Sequence, residues 1–513
     1  MNKRKLTTAQ LAAVLSVMAI ISKILGFLRE LLLANYYGAS YVTDAYIMSM
    51  SIPNNLLAGI VSAAMTAYMP VFSRKVEKNV EEGYAFTSQT LTFLLTATGI
   101  AAVLGGIFAR PLVHLFAPGF EGATAELTIF YTRVAFVMIV FSVFWQVLGA
   151  YLQYKGVFII TNIFAYIQNA LIIAAIIISA KTAVPEILIF GIAGGYLVNA
   201  VGTTIIAKRQ GYSFKFNFKF SDSVKDVITL AIPVFLGSCA GELNAFIDRI
   251  LASNLPEGSV SALNYGNLFA NVVSAFTVGI FITIIYPRLA KAFAREEYDR
   301  VSDMAERGIN IIVLLMLPMT LGSMLYSNQI VQVVYERGAF SDTATSLTAT
   351  AYFYYAIAMT FNAVRQLLEK IFFAAHDTKT PVICSAVAVA CNIVLNLILV
   401  RYMAHGGLAL ATSISQIVST VLEYILFRRE FPAIRLLSSF KKIGLISLFS
   451  VISVGVSYAV YYFVGNAIWM PRMVLLGLAV LTACVIYLIF LYIGRFEELN
   501  LIKDLIARRS KEA

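Results

Sequence analysis

Apolar residues run through this chain in stretches of about twenty or more, parted by short polar segments. Twenty helical residues rise about 30 Å, the thickness of a bilayer's hydrocarbon core, so each stretch is read as a membrane-crossing helix. The pattern predicts spans near 8–35, 42–72, 84–110, 125–153, 157–181, 184–207, 225–253, 258–286, 308–328, 346–374, 380–401, 406–427, 442–465 and 472–494. The expected fold class is therefore an all-α integral membrane protein with fourteen transmembrane helices. Fourteen crossings return both termini to one side.

The placement of basic residues tests that count. With the N-terminus cytoplasmic, 29 of the 39 Lys and Arg residues fall in inner segments, 5 in outer segments and 5 within spans. Such a bias is the positive-inside pattern of cytoplasmic loops, and a missed or extra span would scramble it. Both termini are thus expected in the cytoplasm.

Composition agrees. The chain is 59% hydrophobic and 13% charged, with mean hydropathy +0.80, whereas soluble chains carry about 25% charged residues. A net charge of +11 could signal nucleic acid, but the cations are scattered and follow membrane orientation, so no nucleic-acid partner is expected. Cys239, Cys384, Cys391 and Cys484 lie in apolar stretches without CxxC spacing, and His114, His376 and His405 form no cluster. They are read as packing residues. The basic start followed by an apolar run resembles a signal peptide, but the run is too long, no small-residue cleavage site closes it, and more spans follow.

Two stretches match in order. RELLLANYYGASYVTDAY (29–46), leading to YMPVFSRKV (68–76), parallels DRILASNLPEGSVSALNY (248–265), leading to IYPRLAKAF (285–293). Lys155 and Lys379 share an offset of 224 with Tyr131 and Tyr355. Spans 1–6 and 7–12 are therefore expected to form two pseudo-symmetric six-helix lobes, over 1–220 and 221–435, with spans 13 and 14 and a cytoplasmic tail (436–513) added. Two related lobes around a midplane site is a transporter arrangement.

Charges inside the first span point the same way. SKILGFLREL (22–31) carries Lys23, Arg29 and Glu30 within an apolar run, at about 2.5–3.5 kcal/mol per mid-bilayer charge. Helical spacing puts Ser22, Gly26 and Arg29 on one face and Lys23 and Glu30 on the next. One carboxylate cannot neutralise two cations, so the stripe is expected to face a wet cavity and attract an anion, for which the arginine fork suits phosphate oxygens. Asp44 opens span 2, and Pro53, followed by Asn54, interrupts it, freeing a backbone carbonyl. In the second half, Glu242, Asn244, Asp248 and Arg249 lie on span 7, and Arg365 and Glu369 on span 10. Arg365 and Glu369, four apart, could equally be an intrahelical pair. Asp248, Asn392, Asn396 and Thr412 form a candidate sodium or proton site of hard oxygen groups; interhelical hydrogen bonding is the alternative reading.

These residues, with HLFAPGF (114–120), ERGAF (336–340), DTKTPV (377–382) and GGLALATSISQ (406–416), resemble the MurJ/MviN family of lipid II flippases, a branch of the multidrug/oligosaccharidyl-lipid/polysaccharide exporter superfamily. The resemblance runs along essentially the whole chain. It implies an alternating-access carrier of the bacterial cytoplasmic (inner) membrane that moves undecaprenyl-pyrophosphate-linked peptidoglycan precursor from the cytoplasmic to the outer leaflet, with spans 13 and 14 forming a groove for the lipid tail. It implies substrate-binding roles for Lys23, where the family usually has Arg, for Arg29, for Glu30, usually Asp, and for Asp44. This chain departs from the pattern at Leu56, Leu57, Val61 and Ser62 after the Pro-Asn of span 2, and at Leu268 after Asn267, positions where the family often carries arginines or, after the arginine pair, Glu-Gly.

The reading is a lipid II flippase with substrate-binding residues Ser22, Lys23, Gly26, Arg29, Glu30, Asp44, Pro53, Asn54, Asn267 and Arg365. Its alternatives are a flippase for another polyprenyl-linked oligosaccharide and a drug/cation antiporter, the latter disfavoured by the basic stripe. No catalytic residues and no cofactor are expected, and a membrane enzyme would need acidic metal clusters or a His base that the chain lacks. A coupling ion, sodium or proton, or the membrane potential would drive resetting. Expected partners are the lipid-linked glycan and the bilayer, with the chain acting as a monomer near cell-wall synthesis enzymes.

Overall fold

The computed structural model describes residues 8–219, 221–434, 436, 440–467 and 470–496, and these form helices joined by short loops, with no strand among the described residues. In chain order the helices are α1 (Thr8–Tyr37), α2 (Tyr41–Pro53), α3 (Gly59–Lys78), α4 (Val80–Ile107), α5 (Ala109–Phe116), α6 (Gly122–Tyr154), α7 (Ile159–Thr182), α8 (Ile187–Arg209), α9 (Asp222–Ala252), α10 (Ser259–Ala294), α11 (Tyr298–Leu325), α12 (Ser327–Tyr335), α13 (Asp342–Ala356), α14 (Met359–Ala374), α15 (Lys379–Glu430), α16 (Phe440–Ala467) and α17 (Arg472–Ile493). Eight helices among the described residues are long and apolar enough to cross a membrane, or nine spans if the bent pair α2–α3 counts as one.

Each predicted span falls on helix, and the breaks have local causes. Span 2 is interrupted where expected: Pro53 ends α2, a π-helical turn covers Asn54–Ala58, and the two halves meet at 42°. A proline lacks the N–H the ladder needs, and an extra residue in the turn absorbs the mismatch. Span 10 divides into α13 and α14. Spans 11 and 12 are the two legs of α15, which reverses at Ala404, whose φ of 48° and ψ of −131° are not helical. Gly407 makes that reversal possible, because a Cβ there would strike the Leu399 carbonyl.

Two short helices were not predicted. α5 follows α4 and α12 follows α11, each burying only two residues, Ala109 and Val113 in one and Val331 and Tyr335 in the other. Eight or nine residues cannot cross a bilayer, so a window tuned to twenty apolar positions passes over them.

The chain divides into two compact units. The first is Met1–Ser261 with Arg337–Ser341, the second Ala262–Glu336 with Asp342–Ala513. α9 packs along α3 in the first unit.

Among the described residues of the first unit, two apolar cores are seen. One gathers Tyr68, Phe72, Phe86, Leu91, Val147 and Tyr151 from α3, α4 and α6, with Tyr68 stacked between Phe72 and Phe86. Its phenols are satisfied: Tyr68 pairs with Thr87 at 2.7 Å and Tyr212 with Ser88 at 2.9 Å, as buried aromatic hydroxyls require. The other joins Leu33, Val42, Tyr131, Ile172 and Leu188. In the second unit the added pair α16–α17 is pinned by buried hydrogen bonds. The hydroxyls of Tyr326 and Ser457 pair at 2.7 Å, Ser457 Oγ donates to the Ala479 carbonyl at 2.6 Å, and Tyr487 donates to the Leu314 carbonyl at 2.8 Å.

Candidate functional site

α1 carries the charged stripe. Arg29 is half-buried and Glu30 buried. Arg29 Nε and Nη2 both donate to Glu30 Oε1, at 3.2 and 2.7 Å. The one carboxylate in the stripe is therefore committed to Arg29. Lys23 is exposed and makes no ion pair among the described residues. Ser22 is half-buried, and beside Gly26 there is open space, since a Cβ there would meet nothing within 4 Å. The stripe is thus one compensated cation, one uncompensated cation and an open flank.

Asp44 has a different setting. It is buried at the start of α2, and one oxygen accepts from Gly258 N at 2.7 Å. The other accepts from Ser261 N at 2.8 Å and from the Ser261 hydroxyl. These are first-turn donors of α10, which no intrahelical carbonyl can reach, so Asp44 caps α10 from outside. Glu257 returns the contact: its Oε1 accepts from Tyr41 N at 2.8 Å, capping α2 where Ser40 does not. With both oxygens so engaged, Asp44 is a helix cap and not part of the α1 stripe.

Two loops complete this end of the first unit. Gly38, with φ +63°, closes α1, and a Cβ there would stand 2.5 Å from the Ala339 carbonyl oxygen. Ala339 N donates to the Asn35 carbonyl at 2.8 Å. The matching loop after α5 brings Gly119 against the backbone of Ser253 and Asn254, just past α9. The APGF loop on α9's end and the RGAF loop on α1's end are mirror uses of the same device, in keeping with the internal repeat.

The remaining site residues disperse. Pro53 is buried, whereas Asn54 is exposed at the π turn. Arg249 Nη1 donates to Ser51 Oγ at 2.8 Å, tying α9 to α2. Asn267 is half-buried and accepts from Asn271 at 2.9 Å. Arg365 donates to Glu369, one turn on, so the intrahelical pair is realised. Of the candidate ion site, Asn392, Asn396 and Thr412 come together: Asn396 Nδ2 donates to Asn392 Oδ1 at 2.7 Å and Asn392 Nδ2 to Thr412 Oγ1 at 3.2 Å. This is an interhelical amide–hydroxyl chain of neutral groups. Asp248 is buried in the other unit. The side chain of Glu242 lies outside the described residues.

Sequence reasoning missed Glu257, Ser261 and Glu423. Glu257 reads as a loop residue and Ser261 as the start of a span, and only the fold brings them to the first residues of α2. Glu423 was legible as a carboxylate inside span 12, which by itself marks a position of interest.

The comparisons with known proteins all point one way. A family model described as "Lipid II flippase MurJ" matches residues 33–494. A "Probable lipid II flippase MurJ" of Rickettsia prowazekii is 27% identical over 78% of this chain and 80% of its own length. One of Thermotoga maritima is 28% identical over 84% of this chain and 86% of its length. Among solved structures, a lipid II flippase MurJ in an inward closed conformation superposes with a TM-score of 0.81 at 23% identity, covering 96% of this chain and all of that one. An inward-facing multidrug resistance MATE family transporter gives 0.61 at 15% identity, over 78% of this chain and 95% of that one. These two likenesses are of fold.

Proposed function

The chain belongs to the lipid II flippase MurJ family, and on that premise we propose how its own residues serve lipid II translocation. The protein is a multi-pass membrane transporter of lipid II, the undecaprenyl-pyrophosphate-linked peptidoglycan precursor, and its place is cell-wall biogenesis. We assign recognition of the pyrophosphate to the α1 stripe, with both termini in the cytoplasm as the 29-to-5 charge bias supports.

One observation carries the assignment: α1 presents an uncompensated Lys23 near the open flank at Gly26, about two turns from the Arg29–Glu30 pair. A lone cation in a membrane helix is costly unless something anionic or aqueous meets it. A pyrophosphate supplies more than one negative charge and can be shared by an ammonium and a guanidinium fork. Glu30 holds the guanidinium in place between visits of the substrate and keeps the empty helix tolerable in lipid. The exposed apolar side chains of α16 and α17, among them Phe463, Val485 and Leu488, give a surface for the polyprenyl tail.

The test is replacement of the cations in a strain depleted of its own flippase, with lipid II movement followed in parallel in proteoliposomes. Arg29→Ala should abolish rescue and movement while membrane protein levels hold, and Lys23→Gln should weaken both. Full growth and unchanged lipid II movement in the double variant would remove α1 from substrate recognition. The second possibility, a drug/cation antiporter, is favoured by no observation beyond the shared fold.

A further inference from the structure

The second unit contains a buried carboxylate that the stripe does not use. Glu423, on the second leg of α15, has a side chain with 0% exposure, and neither oxygen has a hydrogen-bond partner. Its nearest cation is Arg365 of α14, whose Nη1 lies 3.9 Å from Glu423 Oε1. That same Nη1 donates to Glu369, while Arg365 Nε is buried without a partner. Among the described residues, the titratable or charged groups that face Glu423 are Arg365 and Glu369 from α14 and Cys384 from the first leg of α15. The hydroxyl of Ser419 lies one turn earlier on Glu423's own leg. α13 meets α15 elsewhere, through Ser413 Oγ on the Tyr354 carbonyl and His405 on the Leu347 carbonyl.

The charges in this cluster do not balance as ions. Two ionised carboxylates against one guanidinium would leave a net negative charge in the protein interior, where an unpaired ion is far less stable than its neutral form. Hydrogen bonding points to which group gives way: Glu369 has the guanidinium, whereas neither Glu423 oxygen has a donor within hydrogen-bond distance.

We propose that Glu423 is a proton-binding site of this carrier, with Arg365 as the partner that replaces the proton on release. In the state described here Glu423 holds the proton and Arg365 pairs with Glu369. For release, the O–H bond of Glu423 breaks, its electron pair stays on the carboxylate, and the proton passes to water. Arg365 needs to close only the present 3.9 Å gap to take up the anion. The fork of Arg365 can then bridge both carboxylates, so one cation serves either occupancy. This binding site requires nothing of the α1 stripe. Its coupling to transport rests on the flippase reading.

Infrared difference spectroscopy of the full chain in nanodiscs, stepped through pH, tests the binding. A protonated-carboxyl C=O band is expected in the wild type, absent in Glu423→Gln, shifted in Glu423→Asp, and retained in Glu369→Gln. A band unchanged in Glu423→Gln, or no such band in folded wild type, overturns the proposal. If Glu423→Gln does not fold, the shift in Glu423→Asp decides between the same two outcomes. In proteoliposomes carrying lipid II at zero membrane potential, a gradient of one pH unit should change the steady-state leaflet ratio about tenfold in wild type, for one proton per cycle, and not in Glu423→Gln. A wild type that moves lipid II without sensing the gradient overturns the coupling and leaves the flippase reading standing. A wild type with the band but no lipid II movement strikes the flippase reading alone.

Discussion

Asp44 gives the sharpest quantitative expectation, because three donors converge on one buried side chain. Asp44→Ala would leave Gly258 N, Ser261 N and the Ser261 hydroxyl without their acceptor. Each buried group left unsatisfied costs about 1–3 kcal/mol, and loss of a helix N-cap alone costs about 0.5–2 kcal/mol. The lower bound for three donors is therefore about 3 kcal/mol. For units above 150 residues each kcal/mol moves Tm by about 2–4 °C, so Tm should fall by roughly 6–12 °C. Asp44→Asn keeps one acceptor oxygen but turns an amide N–H toward a donor, so it should lose about half as much. The assay is thermal unfolding of purified protein in one detergent, with helix content checked at 20 °C. A fall of under about 2 °C for Asp44→Ala, well short of the expected loss, would refute Asp44 as the cap of α10. A fully stable variant that fails to transport would return Asp44 to substrate binding.

Gly38→Ala forces a Cβ to 2.5 Å from the Ala339 carbonyl at a positive φ, a strain of order 1–3 kcal/mol; faster cleavage by a site-specific protease engineered into the 336–341 loop would register it, and unchanged cleavage would argue against the docked loop. Tyr326→Phe removes the pairing with Ser457 and should cost about 1 kcal/mol, seen as faster deuterium exchange in α16 and not in α4. Asp377, in the loop before α15, accepts from Lys379 N at 2.8 Å and Thr380 N at 3.1 Å. Burial works to raise its pKa, but the Thr380 and Lys379 donors outweigh that and hold the carboxyl below the ordinary carboxylate range. A lowered value in the folded state means the stabilisation is full above the ordinary range and is lost as pH falls through the lowered one. Asp377→Ala should therefore cost about 0.5–2 kcal/mol at pH 7, with the gap to wild type closing in acid; a gap independent of pH would exclude the cap.

Hydrophobic periodicity and charge placement along the chain determine where its helices lie and that they belong in a bilayer, because each is a local property of about twenty residues. The break at Pro53 was equally local, since a missing N–H acts within one turn. The repeat was visible as matched motifs, and the mirrored APGF and RGAF contacts agree with it. What required the fold was partnership. Whether Arg29 or Lys23 would take Glu30 depends on side-chain reach, and the structure gives the carboxylate to Arg29. Asp44 and Ser261 are 217 residues apart, and nothing in the polarity of either says that one caps the other's helix. Arg365 sits between Glu369 and Glu423, two groups on different helices, and its spacing along the chain shows only the first of them. Local sequence decides which groups enter the membrane, since that depends on each residue's own transfer energy. Only tertiary packing decides which of them are neutralised, because compensation depends on distance between segments remote in sequence.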